Sequence, residues 1–68
     1  MKTVSEKIKE LRIENKYSQS FVAEHLKIDR SNYSKYELGK LEPSLEMIRQ
    51  LCLLYNVSAD YLLGLKEI

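Results

Sequence analysis

Residues 18–37, SQSFVAEHLKIDRSNYSKYE, decide the fold of this 68-residue chain. Ser18 is a good N-cap, because its hydroxyl can accept from a free backbone N–H of the first helical turn. The apolar residues that follow share one helical face: Val22, Ala23 and Leu26. Ile28 can then fill the angle between two helices, and Asp29 can cap the second of them. The stretch therefore predicts two short helices separated by a tight turn.

The second of these helices has two different faces. At about 100° of rotation per residue, Tyr33 and Tyr36 fall on one side. The other side chains lie opposite or flank it, and they are Arg30, Ser31, Asn32, Ser34 and Lys35. A helix that enters the major groove of DNA needs this arrangement, because its first residues must reach base edges while its back is anchored. The alternative is an ordinary amphipathic surface helix, which periodicity alone favours.

Length and composition limit the chain to one small module, a single domain over residues 1–68. A chain of this size buries only about 60% of its unfolded surface, which leaves no room for a deep substrate cavity. Hydrophobic residues make up 44% and charged residues 31%, with two Gly and one Pro, as in a short-looped helical protein. One Cys excludes an internal disulfide, so we expect a reducing, cytoplasmic setting. The sequence predicts no membrane span, signal peptide or lipidation site.

Charge is unevenly distributed along the chain. The formal net charge of +1 is low for a protein that binds nucleic acid. Residues 1–40, however, contain nine Lys or Arg and six Asp or Glu, whereas residues 41–68 contain two and four. The basic half thus includes the two-faced helix.

Helix signals also flank the central stretch. Thr3 and Glu6 form a capping-box pattern before a first helix with the apolar stripe Val4, Ile8 and Leu11. That helix should end near Asn15 and Lys16, and its solvated face should carry Lys7, Lys9, Glu10 and Glu14.

Two further helices should follow the central stretch. Gly39 can adopt a positive φ after the second motif helix, and Pro43 prevents its continuation. Ser44 should cap a fourth helix with the stripe Leu45, Ile48, Leu51, Cys52 and Tyr55. Ser58 should cap a short fifth helix with Leu62 inside, ending at Gly64 before a tail over residues 65–68. The expected fold class is all-α, with five helices.

Nearly the whole chain, from Val4 to Gly64, resembles the Cro and lambda-repressor-like helix-turn-helix family of transcriptional regulators. The matching pieces are Ile8-x-x-Leu11-Arg12, Ser18-Gln19, Val22-Ala23, Leu26-x-Ile28, Tyr33-x-x-Tyr36-Glu37, Gly39-Lys40, Pro43-Ser44 and Val57-Ser58-x-Asp60-Tyr61-Leu62-Leu63-Gly64. No single piece is specific, but their order over some sixty residues is. The helix-turn-helix motif would span about residues 18–37.

The resemblance implies individual roles. Arg12 and Glu37 would form a partly buried ion pair, and Gln19 would hold a DNA phosphate at the start of the second helix. The residues that would face bases are Arg30, Ser31, Ser34 and Lys35. Asn32 and Lys40 would contact the DNA backbone.

The sequence departs from the family pattern in three places. Lys16 and Lys27 stand where Gly is frequent, and a left-handed Lys27 would cost about 1–2 kcal/mol. Asp29 replaces a usual Ser or Thr, which should keep the cap but places a negative charge near phosphates. These departures put operator affinity in question more than the fold.

Specific binding by so small a domain implies a homodimer on a two-fold operator, with equivalent grooves about 34 Å apart. The candidate interface residues are Leu53, Leu65 and Ile68, while Leu54 and Leu63 can equally belong to the core. The expected function is a double-stranded DNA-binding regulator, most often a repressor. The alternative is an antitoxin whose main task is to bind a partner toxin.

An enzyme is the least favoured hypothesis. The chain has one His, one Cys and two Gly, and nothing resembles a nucleophile–base pair or a phosphate loop. His25 lacks neighbouring ligands, so we expect no metal. The sequence also predicts no cofactor and no small-molecule ligand.

Overall fold

The computed structural model describes residues 3–65, which form an all-α fold. The helices in this range are α1 (Val4–Glu14), α2 (Gln19–Leu26), α3 (Arg30–Glu37), α4 (Leu45–Tyr55) and α5 (Ala59–Leu62). Helix α3 packs against α1 and α2, and α5 packs against α1 and α4. The predicted fold class and the helix-turn-helix at α2 and α3 are confirmed.

Four of the five helices begin with the predicted side-chain cap. The Thr3 hydroxyl accepts from the Glu6 N–H, and the Glu6 carboxylate accepts from the Thr3 N–H, which completes the capping box. The serine caps follow the same rule, with Ser18, Ser44 and Ser58 accepting from Phe21, Met47 and Tyr61. Local sequence thus fixes these helix starts, because each cap satisfies a backbone donor that the helix itself cannot.

Asp29 is the exception among the helix caps. Its backbone has the extended conformation of a cap, with φ −66° and ψ 144°, but its side chain makes no capping hydrogen bond. The prediction that Asp29 keeps the cap of α3 is therefore right for the backbone and wrong for the side chain.

The turn between α2 and α3 depends on a left-handed lysine. Lys27 has φ 62°, and the next residue, Ile28, donates its N–H to the Ala23 carbonyl at 3.0 Å. Lys16, after α1, has φ 59°. Both lysines stand where the family pattern favours Gly, and each accepts a strain of about 1–2 kcal/mol. Lys27 therefore has the left-handed conformation whose cost the sequence analysis considered.

The core lies between the helices, and each of α1 to α5 contributes buried side chains to it. Its fully buried large side chains are Ile8, Val22, Tyr33, Leu51 and Leu62. Ala23, on the predicted apolar face of α2, is also buried. Cys52 is half-buried against this core, and burial raises the pKa of its thiol, which suits a packing role.

Two sequence-based assignments of burial are wrong. Leu45, placed on the buried stripe of α4, is 89% exposed, and Met47 is buried instead. Lys7, placed on a solvated face, is only 9% exposed, and its Nζ lies 4.1 Å from the centre of the Tyr61 ring. In both cases the tertiary packing overrides the local pattern, since the first residue of α4 projects beyond the body and α5 covers Lys7.

Candidate nucleic-acid interface

Helix α3 presents a polar face to solvent. Arg30, Ser31, Asn32 and Lys35 are exposed, and Ser34 is half-buried. The predicted orientation of the helix is therefore confirmed, although contacts of these side chains with DNA stay predictions. Short polar side chains permit close approach to a groove floor, while Arg30 and Lys35 add reach and positive charge.

The opposite face of α3 is anchored by Glu37. Arg12 donates from Nε to Glu37 Oε2 at 2.7 Å and from Nη2 to Oε1 at 3.1 Å, so the predicted ion pair is present and bidentate. The hydroxyl of Tyr33, itself fully buried, also donates to Oε2. The Tyr33 side chain therefore belongs to the interior and does not reach the surface of α3.

Gln19 joins the same carboxylate from α2. Its Nε2 donates to Glu37 Oε1 at 3.0 Å, and the side chain is half-buried. The amide carries a second N–H and a carbonyl oxygen that this bond does not use. The family role of Gln19 as a phosphate ligand stays a prediction, but its position at the first residue of α2 is fixed by an interior contact that the sequence did not indicate.

The electrostatics of the cluster favour the charged pair. Burial by itself would raise the pKa of Glu37, but hydrogen bonds from Arg12, Tyr33 and Gln19 outweigh it, and the pKa lies below its usual range. The hydrogen bond to Glu37 raises the pKa of Arg12, and burial raises the pKa of Tyr33. Glu37 is therefore ionised at neutral pH, and its charge is neutralised inside the protein.

The flanks of α3 carry additional lysines. Lys27 lies in the turn before the helix and Lys40 in the turn after it, and both are exposed. Gly39 has φ 78°, which lets the chain reverse so that the Lys40 N–H donates to the Lys35 carbonyl at 2.9 Å. Basic side chains thus stand at both ends of the helix.

Aromatic rings support the start of α2. The rings of Tyr17 and Phe21 lie 4.5 Å apart, and Tyr17 also stacks on Tyr55 at 6.1 Å. Phe21 thus packs on Tyr17, and its side chain stays 47% exposed. His25 is exposed. Within residues 3–65, no group of three His, Cys, Asp or Glu side chains is placed to hold a metal ion, and no helix is long and apolar enough to cross a bilayer.

An apolar groove of about 770 Å³ opens beside the C-terminal end of α3. Among its lining residues are four exposed leucines, Leu38, Leu41, Leu45 and Leu63. The sequence analysis missed this groove, because its walls come from α1, α3, α4, α5 and the turn after α3. Leu53 and Leu65, the predicted dimer residues, are exposed but do not line it, and Ile68 lies outside the described residues.

Comparison with known proteins agrees with this geometry. A family model described as a helix-turn-helix domain matches residues 5–68. The SPbeta prophage-derived uncharacterized HTH-type transcriptional regulator YonR of Bacillus subtilis is 43% identical over 58 residues, which cover 85% of this chain and 54% of YonR. The HTH-type transcriptional regulator ImmR of the same organism is 39% identical over 66 residues, or 97% of this chain and 52% of ImmR.

A third relative comes from another bacterium. The cryptic phage CTXphi transcriptional repressor RstR of Vibrio cholerae is 36% identical over 53 residues, which cover 78% of this chain and 48% of RstR. The chain spans about half the length of these relatives. The match nevertheless includes all of α2, the turn and α3, which carry the exposed polar face. This chain belongs to the helix-turn-helix family of DNA-binding transcriptional regulators.

Proposed function

We propose that the chain binds a two-fold symmetric operator as a homodimer, with α3 in the major groove, and thereby represses transcription. The observation that carries the proposal is the division of α3 into an exposed polar face and a back anchored through Tyr33 and Glu37. A reading helix has to be held rigidly from behind, because base contacts are lost when the helix shifts by a fraction of a hydrogen-bond length.

The charge that faces DNA supports this function better than the net charge does. The exposed cations between residues 27 and 40 are Lys27, Arg30, Lys35 and Lys40. Of the two acidic residues in this range, Glu37 is paired inside the protein, so only Asp29 opposes them at the surface. Arg30, Ser31, Ser34 and Lys35 would contact bases, and Gln19, Asn32 and Lys40 would contact phosphates.

The apolar groove supports a homodimer. Soluble proteins seldom leave several large apolar side chains together in water unless another surface covers them. In a dimer, the two copies of α3 would occupy equivalent major grooves about 34 Å apart, so the two-fold axis would pass about 17 Å from each α3. The domain measures 29 × 22 × 20 Å, so that axis must pass near its edge. Because the groove is lined by Glu37, Leu38 and Gly39, a second copy seated there would contact the domain beside the C-terminal end of α3.

Whether the chain represses or activates transcription depends on where its operator lies. A compact domain that covers a promoter excludes polymerase by occupying the site, and RstR, similar over 78% of this chain, is named a repressor. A reporter gene placed behind the selected operator measures this directly. Repression on expression of the chain is the expected result, and activation would contradict the repressor part of the proposal.

The function is tested by selecting bound duplexes from a random pool and titrating the winner across salt concentrations. We expect a two-fold symmetric site and a steep loss of affinity with salt, because Lys and Arg contacts release counterions from DNA. If no sequence were enriched and binding stayed weak at low salt, sequence-specific regulation would be wrong. The antitoxin alternative, binding to a partner protein, would then take its place.

The dimer surface is tested by a pair of matched variants. Leu45→Lys places a charge in the groove, whereas Leu53→Lys places the same charge on an exposed position of α4 outside it. Sedimentation should show dimer loss for Leu45→Lys alone, with melting temperatures close to wild type for both. Dimer loss on Leu53→Lys alone would instead support the surface expected from the sequence.

A further inference from the structure

Asp29 differs from every other helix cap in residues 3–65. Thr3, Ser18, Ser44 and Ser58 each turn their side-chain oxygen onto a backbone N–H of their own helix, and Asp29 does not. Its backbone conformation is close to that of the serine caps, so the difference lies in the side chain. Within the described residues, the exposed Asp29 carboxylate also takes part in no hydrogen bond or ion pair. Its acceptor atoms are therefore free to bind something outside the domain.

The position of this carboxylate would bring it close to DNA in a complex. Asp29 directly precedes α3, and the N-terminal residues of a reading helix are the ones that approach base edges. Phosphates repel a negative charge there, and a hydrogen bond from a donor on a base can offset that repulsion. A carboxylate only accepts hydrogen bonds, and the donors in the major groove are the N4 amino group of cytosine and the N6 amino group of adenine.

Cytosine fits this carboxylate better than adenine. Adenine presents its N7 acceptor beside the N6 donor, and N7 would face a carboxylate oxygen with like partial charge. A C·G pair offers the cytosine N4 donor to a carboxylate and the guanine O6 and N7 acceptors to an arginine. Arg30, the next residue, is exposed and supplies that guanidinium.

We propose that Asp29 is a specificity-determining residue whose carboxylate accepts a hydrogen bond from the N4 amino group of a cytosine in each half-site. The inference rests on the proposed function, because it requires α3 to enter the major groove. It also reverses the expectation from the sequence alone, in which Asp29 was a cap that lowers affinity.

The first test repeats the random-pool selection with wild type, Asp29→Ser and Asp29→Asn. Serine supplies the cap oxygen that the other helices use, so Asp29→Ser removes the charge while keeping the helix start. We expect wild type to enrich a cytosine at one position of each half-site and Asp29→Ser to lose that preference alone. Asp29→Asn should move the preference towards adenine, since an amide pairs with N6 and N7. An unchanged consensus in both variants would overturn the proposal.

The second test is a coupling measurement on the selected operator. Replacing that C·G pair by T·A puts the O4 acceptor of thymine where the N4 donor was, and it also removes any guanine contact of Arg30. The loss through Arg30 is common to both proteins, so the difference between them isolates Asp29. We expect wild type to lose about tenfold more affinity than Asp29→Ser. Equal losses would show that Asp29 reads no base.

The outcomes separate this inference from the function on which it rests. Enrichment of a symmetric site by wild type, with the same site for both variants, would leave the regulator standing and remove Asp29 from the reading face. Enrichment of no site by wild type would remove both. Melting of Asp29→Ser and Asp29→Asn in the absence of DNA identifies any change that comes from folding.

Discussion

At the C-terminal end of α3, the Glu37 carboxylate accepts hydrogen bonds from Arg12, Gln19 and Tyr33, whereas the Asp29 carboxylate at the N-terminal end accepts none within residues 3–65. The two charges lie in one eight-residue helix and its cap. The Glu37 carboxylate is bonded inside the protein, and the Asp29 carboxylate is exposed. This difference indicates which end of the helix is structural and which is available to a ligand.

The largest change should be the loss of stability on removal of the Glu37 carboxylate at the C-terminal end of α3. Glu37→Ala leaves the Arg12 guanidinium, whose side chain is only 14% exposed, without its partner. We expect a loss of about 3–5 kcal/mol in the free energy of unfolding, measured by urea denaturation. Glu46→Ala is the matched control, because its ion pair with Arg49 is exposed and should contribute little. Equal, small losses in both variants would show that Glu37 is not a buried anchor.

The next effect concerns the exposed face. Lys35→Ala should change the sequence preference of binding by about 1–3 kcal/mol, if the side chain contacts a base. Lys40→Ala, in the turn after the helix, should weaken binding to all sequences alike and reduce the salt dependence. Competition binding against operator variants with one changed base pair distinguishes the two. A uniform loss from Lys35→Ala would move that residue from base to phosphate contact.

Acid should reduce the stabilising contribution of the Glu37 carboxylate. Since the pKa of Glu37 is lower in the folded protein than its ordinary value of 4.5, its stabilising contribution is complete above pH 4.5 and decreases as the pH falls towards the lowered value. The stability difference between wild type and Glu37→Gln should therefore shrink on acidification. Chemical denaturation between pH 7 and pH 3 measures it. A difference that stayed constant would mean that Glu37 does not titrate with unfolding.

The smallest effect compares two caps. Ser18→Ala removes a capping hydrogen bond of 3.0 Å and should cost about 1 kcal/mol. Asp29→Ala removes a side chain that makes no such bond, so it should cost less than Ser18→Ala in thermal unfolding. If both substitutions cost the same, Asp29 caps α3 in solution and is less free to reach a base.

The sequence predicted the features of this molecule that depend on near neighbours. The caps at Thr3, Ser18, Ser44 and Ser58 each involve residues three apart, so a local pattern is sufficient. Two further features came from the family resemblance and not from local spacing. The resemblance paired Arg12 with Glu37, and it identified Lys27 as a position where the family frequently has Gly.

Contacts between distant residues that the family resemblance did not supply were missed or predicted wrongly. Lys7 is buried because Tyr61 of α5 covers it, and no spacing within α1 indicates that contact. Gln19 meets Glu37 across 18 residues. Leu45 fits the apolar spacing of α4, but it is the first residue of the helix and its side chain is 89% exposed. The groove beside α3 depends on the placement of every helix that lines it, and its function therefore had no signature in the sequence.

The most direct test of the central claim is an NMR titration of the chain with the selected operator duplex, which follows each backbone amide. The account predicts that the largest changes in chemical shift fall on residues 29–35 of the reading face and on Gln19 at the start of α2. Large changes confined to the groove beside Leu41 and Leu45, with α3 unaffected, would contradict it, because the exposed face of α3 would then not be the surface that meets DNA.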